Sequence, residues 1–262
     1  MPNIVKGLGF LDFCWVFCCP PCPRPITEKI AFMPPFPTYD VAPTKSETIQ
    51  YAFHLSPDYD TSGLRKVIQQ EVRVVKTTLH NEVVVLYVKG TTTKKFTILY
   101  SHGNAVDVGL IHRLCVDLSQ MTGCDVVTYD YSGYGQSTGH PTEKNIYADI
   151  KAAWDYTLTF QEPDPKQIIL YGHSLGAVAT IDLAAKVDCA GVILHAPFVS
   201  AFQVVCTGKN WFSWIDTLKS ISRSNIILSN HVKPQKSPNL AKHLKLAIGS
   251  LLDISLLKQF LC

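Results

Sequence analysis

A chain of 262 residues with 47% apolar and 17% charged residues is long enough to bury a substantial core as one large domain with a short appendage. Its formal charge of +3 is too small to argue for nucleic acid, and no run of about 18 uninterrupted apolar residues provides a spanning helix. Of the nine cysteines, four (Cys14, Cys18, Cys19, Cys22) are clustered, and Cys115, Cys124, Cys189, Cys206 and Cys262 are scattered, which fits a reducing compartment better than a disulfide framework.

Met1–Cys22 is apolar and Cys-rich, and the prolines of Pro20–Pro43 read as an extended linker. Composition therefore sets off a leader and linker over residues 1–44. The β-branched runs Glu71–Thr78 and Glu82–Lys89 around His80-Asn81 predict a hairpin. Phe96–Ser101 is a buried-strand run, Asp107–Met121 has helical apolar spacing, and Asp125–Tyr129 is the next strand. Thr142–Gln161 follows Pro141 and reads as a helix with Ile146, Ile150, Ala153 and Leu158 near one face. Gln167–Tyr171, Leu175–Lys186 and Gly191–His195 read as strand, helix and strand. This alternation predicts an α/β domain over 45–221, a doubly wound, mostly parallel sheet. After about Trp211 the pattern fades. Residues 222–262 form a divergent basic segment with Asp253 as its single acid, so the C-terminal strands of the sheet are expected to be incomplete.

Leu170–Gly176 reads LYGHSLG, a G-x-S-x-G placed where a predicted strand meets a predicted helix. About 0.1 such matches arise by chance in a chain of this length, so the context carries the reading. It makes Ser174 a candidate nucleophile on a strained turn, flanked by glycines that permit unusual dihedrals and close helix packing. Acyl transfer through an oxyanion needs two backbone donors. Ser101-His102-Gly103-Asn104 directly follows the third predicted strand, which makes the main-chain N–H groups of Asn104 and Leu175 the expected pair.

The segments YSHGNAVDVG (Tyr100–Gly109), YDYSGYGQSTG (Tyr129–Gly139), LYGHSLGAVAT (Leu170–Thr180) and LHAPF (Leu194–Phe198) resemble the α/β-hydrolase superfamily. More narrowly, and together with FCWVFCCPPCP and KIAFMPPFPTY near the N-terminus, they resemble the alpha/beta hydrolase domain-containing protein 17 group. The resemblance covers about residues 10 to 220. It implies the α/β-hydrolase fold and a membrane-attached serine hydrolase that removes palmitate from S-acylated proteins by thioester hydrolysis, with no cofactor. In that pattern Asp130 caps a turn rather than serving as the catalytic acid, and His173 points away from the chemistry.

The superfamily triad runs Ser, Asp, His in chain order. The resemblance predicts a His-Gly-x-x-Asp loop and a later Gly-His turn, and neither motif stands in this sequence. Past Ser174 the acids are Asp182, Asp188, Asp216 and Asp253, and the histidines are His195, His231 and His243. The sequence departs from the family pattern around Ser222, as an alternative exon or a shifted reading frame would produce. His195, at the end of a strand next to the nucleophile's strand, and His243, on a possible helix, are the candidate bases. The alternative to an active hydrolase is a catalytically impaired, membrane-attached pseudo-hydrolase or truncated isoform lacking the triad Asp and His.

Cys14, Cys18, Cys19 and Cys22 have poor spacing for zinc, and the leader lacks a signal-cleavage site. Thiols among apolar Phe10, Leu11, Phe13, Trp15 and Phe17 are instead candidates for S-acylation, and several acyl chains anchor stably where one does not. Trp15 stands where the resembled group tends to carry a further Cys. The expected setting is peripheral and lipid-anchored, on the cytoplasmic face of the plasma membrane or endosomes. Phe198, Phe202, Trp211, Phe212 and Trp214 are candidates to line an acyl groove.

Overall fold

A computed structural model describes Glu28 and residues 31–45, 51–59, 69–91, 96–159 and 164–196. The four leader cysteines, the aromatics between 198 and 214 and the basic segment 222–262 lie outside these residues. Eight strands form one sheet: β1 Tyr39–Pro43, β2 Tyr51–Leu55, β3 Gln70–Lys76, β4 Glu82–Val88, β5 Thr97–Ser101, β6 Asp125–Tyr129, β7 Ile168–His173 and β8 Gly191–His195. Three helices connect the later strands: α1 Val108–Thr122, α2 Glu143–Thr157 and α3 Leu175–Ala184. The strand order is β1-β2-β3-β4-β6-β5-β7-β8. The first four strands pair antiparallel and β4 meets β6 antiparallel, whereas β6, β5, β7 and β8 are parallel. A long apolar chain that alternates strand and helix after residue 96 is thus covered on both faces.

Side-chain alternation assigns each strand residue to one of two cores. Leu99, Val127, Tyr129, Ile168 and Leu170 face α2 and α3, in a cluster with Ile146, Ile150, Ala153, Trp154, Val178 and Leu183. Ile98, Tyr100, Val126, Ile169 and Tyr171 face α1, in a cluster with Val108, Ile111, Cys115 and Leu118. The helices start where the sequence supplies acceptors. Asp107 accepts from the Leu110 N–H at 2.9 Å, and Thr142 accepts from the Asn145 N–H at 3.1 Å. Gly123, at φ 74°, closes α1 and donates to the Ser119 carbonyl.

Two strands were not legible as such. The Pro-rich run read as linker ends in β1, which pairs with β2 over five residues, and Phe32 and Tyr39 are buried. The boundary expected at 44/45 therefore falls within the sheet. Proline excludes helix but not an extended edge strand, so the run could join the sheet where no partner needs its missing N–H. The helix expected over Thr142–Gln161 ends at Thr157, with Leu158 as its C-cap, still packed against the core.

The order places the carboxyl ends of β5 and β7 at the point where successive connections leave in opposite directions. From β5 the chain crosses over α1 to β6, and from β7 it crosses over α3 to β8. Open α/β sheets bind ligands in the crevice at such a point.

The loop after β6 is fixed from below by Asp149 of α2, which accepts from the Ser132 N–H and hydroxyl at 2.7 Å each. Burial raises the Asp149 carboxyl to about 7, against the lowering effect of these bonds. A carboxyl whose folded pKa exceeds its unfolded value near 3.9 stabilises the fold fully below about pH 4 and loses that contribution as pH rises through about 7. Asp149→Asn is expected to remove this dependence. The stability of the wild type relative to the variant should fall by an amount on the order of 1–4 kcal/mol between pH 4 and 8, read from denaturant unfolding at each pH. A difference that stays flat across that window contradicts the assignment.

Candidate active site

Ser174 joins β7 to α3 at φ 51° and ψ −112°, a conformation that L-residues with side chains avoid. Its N–H donates to the His195 carbonyl of β8 at 2.9 Å, and its own carbonyl accepts from the Ala177 N–H at 3.0 Å. The turn is held from the other side by a close backbone approach. A Cβ at Gly176 would lie 2.0 Å from the Ser101 carbonyl oxygen, so only glycine lets α3 pack against the end of β5. Ser174 makes no side-chain cap bond to α3, which leaves its hydroxyl outside the helix's hydrogen-bonding scheme.

Three of the four non-glycine residues with positive φ among the described residues stand just after β5, β7 and β8: Ala105 at 57°, Ser174 at 51° and Ala196 at 47°. Strained backbone of this kind persists only where its surroundings over-determine it, and it clusters at functional sites. A cleft of about 240 Å³ opens at the ends of these strands. His173 and Ser174 line it from the elbow, His195 from the end of β8, Gly103, Asn104 and Val106 from the loop after β5, and Tyr100, Ile111 and Leu114 from β5 and α1. Gly103 presses the loop against the elbow, since a Cβ there would lie 2.9 Å from His173 Nδ1 and 3.6 Å from Ser174 Cβ.

The structure thus brings Ser174, Asn104 and His195 of the expected residues to one cleft. Leu175 opens α3, where a helix leaves its first N–H groups without intrahelical partners. Among the described residues neither the Asn104 nor the Leu175 N–H has a hydrogen-bond partner. His243 lies outside the described residues.

His173 differs from expectation. It was expected to point away, yet it lines the cleft and stacks against His195 with ring centroids 4.6 Å apart. The reason is strand parity: His173 follows Tyr171 by two residues, pairs with His195 in register and shares the α1 face. Burial lowers the His173 pKa, and His195 and His102 nearby lower it further, so it is a neutral imidazole near pH 7. His195 Nδ1 lies 3.3 Å from the Tyr171 hydroxyl, whose own pKa burial pushes up to about 12. In the tautomer whose Nδ1–H donates to that hydroxyl, Nε2 carries the lone pair and can act as a base. Among the described residues no histidine nitrogen is hydrogen-bonded to the Ser174 hydroxyl.

Asp130 stands apart from the cleft. Fully buried, it accepts from the Tyr39 hydroxyl at 2.5 Å and the Val108 N–H at 2.9 Å, and Oδ1 lies 3.2 Å from His102 Nε2. Burial raises its carboxyl, and the His102 and Tyr39 contacts oppose that shift. His102 is also buried, and its Nδ1 donates to the Gly103 carbonyl at 2.8 Å. This pair braces the loop after β5, in keeping with the turn-capping role expected for Asp130.

Sequence reasoning did not single out the apolar wall of Val106, Ile111, Leu114 and Tyr100. The i,i+3 spacing of Ile111 and Leu114 was a signal, but it is equally that of a core face. The described residues hold no group of three or more His, Cys, Asp or Glu placed to bind a metal ion, and none of their helices is long and apolar enough to cross a membrane.

The strain at Ser174 generates a stability prediction. Ser174→Gly should relieve the positive φ and, after the entropy cost of glycine, stabilise the fold by about 1 kcal/mol, roughly 2–4 °C in Tm. Calorimetry checks this, and a Tm lowered by that amount would show that the turn is not strained.

Residues 92–247 match the family model described as serine aminopeptidase, S33. Alpha/beta hydrolase domain-containing protein 17B of Homo sapiens is 38% identical over 226 residues, covering 86% of this chain and 78% of its own length. Alpha/beta hydrolase domain-containing protein 17C of Mus musculus is 37% identical over 250 residues, covering 86% and 78%. The sheet order, the strained serine after β7 and these relatives converge: the chain is a hydrolase of the α/β superfamily and belongs to the alpha/beta hydrolase domain-containing protein 17 family.

Proposed function

We propose that this chain is a serine hydrolase of acyl thioesters that removes palmitate from S-acylated proteins at the cytoplasmic face of membranes. The observation that carries the proposal is the strained Ser174 at a cleft with an oxyanion-type loop on one side and an apolar wall on the other. Ser174 Oγ attacks the thioester carbonyl carbon, and its proton passes to His195 Nε2. Negative charge developing on the carbonyl oxygen is met by the Asn104 and Leu175 N–H groups, fixed dipoles whose loss singly costs about 10²–10³ in kcat in related chemistry. The C–S bond breaks, the departing thiolate takes the proton from the imidazolium, and water then hydrolyses the acyl-serine ester. Val106, Ile111 and Leu114 suit the first methylenes of the acyl chain.

The same proposal assigns Cys14, Cys18, Cys19 and Cys22 as acylated anchors. Cys22 precedes Ala31 by nine residues, and an extended chain of that length spans about 30 Å. An anchored leader would therefore keep the cleft close to the lipid surface where its substrates reside.

A second reading is favoured by one observation. With no nitrogen hydrogen-bonded to the Ser174 hydroxyl among the described residues, the same cleft would bind an acyl group without turning it over, as a pseudo-hydrolase.

Turnover of a palmitoylated peptide thioester by the full-length chain on lipid vesicles separates the two. The hydrolase reading expects turnover that Ser174→Ala abolishes and that His195→Ala lowers at least 10²-fold. Turnover that survives Ser174→Ala rejects the nucleophile assignment. A cooperatively folded wild type with no turnover establishes the pseudo-hydrolase reading instead.

A further inference from the structure

We propose that the strap of residues 31–38 is a positioning element of the oxyanion loop. It is locked to that loop at one end by the Asn104 carboxamide and at the other by the Asp107 carboxylate. The proposal rests on the reading of the Asn104 N–H as an oxyanion donor.

Asn104 lines the cleft with its neighbours, but its side chain is committed elsewhere. Nδ2 donates to the Ala31 carbonyl at 2.7 Å. Oδ1 accepts from the Met33 N–H at 3.0 Å, from the Tyr134 hydroxyl at 2.6 Å and from the Ala105 N–H at 3.0 Å. The Met33 N–H is shared, with the Tyr134 oxygen a second acceptor at 3.2 Å. One carboxamide therefore ties together the strap, the turn after β6 and its own loop. Its amide hydrogens and carbonyl oxygen fix its plane, and with it the torsion of the residue whose main chain faces the cleft.

The far end of the loop is held in the same manner. Asp107 accepts from the Thr38 N–H at 2.8 Å and from the Thr38 hydroxyl at 2.5 Å while also capping α1. Between the two anchors lies Ala105 at φ 57°, a conformation that an unsupported loop would abandon. Ala31 and Phe32 sit in the same core cluster as Tyr134 and Leu175, so the strap is seated as well as hydrogen-bonded. An oxyanion donor has to be fixed to within about 0.5 Å to be effective. In this chain that fixing comes from a segment about seventy residues away in sequence.

The test uses two variants of the full-length chain. Tyr134→Phe removes one hydroxyl from the clasp, and Asn104→Leu strips all the side-chain bonds while keeping the main-chain N–H. Hydrogen–deuterium exchange by mass spectrometry is read beside the rate at which a fluorophosphonate labels Ser174. The proposal expects exchange of peptides spanning 31–38 and 102–110 to quicken at least tenfold, with the strands β6 and β7 unchanged, and labelling to slow at least tenfold in both variants.

If exchange and labelling both stay within twofold of the wild type, the strap is not a positioning element. Exchange that quickens locally while labelling holds also overturns the proposal, because the loop would then be free without consequence. Exchange that quickens across the whole sheet overturns it in favour of a general scaffold role. Local quickening in a protein whose wild type does not label supports the clasp as the constraint on the loop and rejects the serine-hydrolase reading instead.

Discussion

The approach of Gly176 to the carbonyl oxygen of Ser101 is the constraint on which the rest of the site depends. With no Cβ in the way, the first turn of α3 closes onto the end of β5, and the chain between β7 and α3 has no room for a relaxed turn. Ser174 takes up the difference as a positive φ, and the His195 carbonyl receives its N–H. One contact thus brings the ends of three neighbouring strands, β5, β7 and β8, into register around a single hydroxyl. The strain costs about 1–3 kcal/mol, which the buried helix α3 offsets: its first seven residues, Leu175 to Ile181, are all buried, as is Leu183.

Much of this was legible because periodicity is strong where a strand is buried on both faces. EVVVLYV, DVVTY and GVILH were read to within a residue or two, since continuous apolar runs bounded by turn residues have few alternatives. The hairpin at His80-Asn81 was readable for the same reason, although His80 adopts its left-handed φ without being glycine. β1 and β2 were hidden because YDVAP and YAFHL are short, half-exposed and set in Pro- and polar-rich surroundings.

The candidate site divided along a similar line. That Ser174 and Asn104 meet at one cleft was legible because glycine spacing at an elbow and a loop reflects backbone demands that act within a few residues. His173 was misassigned because its direction depends on strand parity carried through to the last residue of β7, which a motif alone does not report. The clasp from Ala31 and Met33 to Asn104 was invisible, since nothing in KIAFMPPFPTY marks which distant side chain will receive its backbone groups. Local chemistry was readable, and long-range hydrogen bonding was not.

The central claim is that the elbow presents a reactive serine rather than a structural one. Incubating the folded full-length chain with a fluorophosphonate and locating the adduct by peptide mass spectrometry tests it most directly. The account predicts a stoichiometric adduct on Ser174 that forms far faster than on any other serine of the chain. An unmodified Ser174 in a protein that melts cooperatively would contradict it.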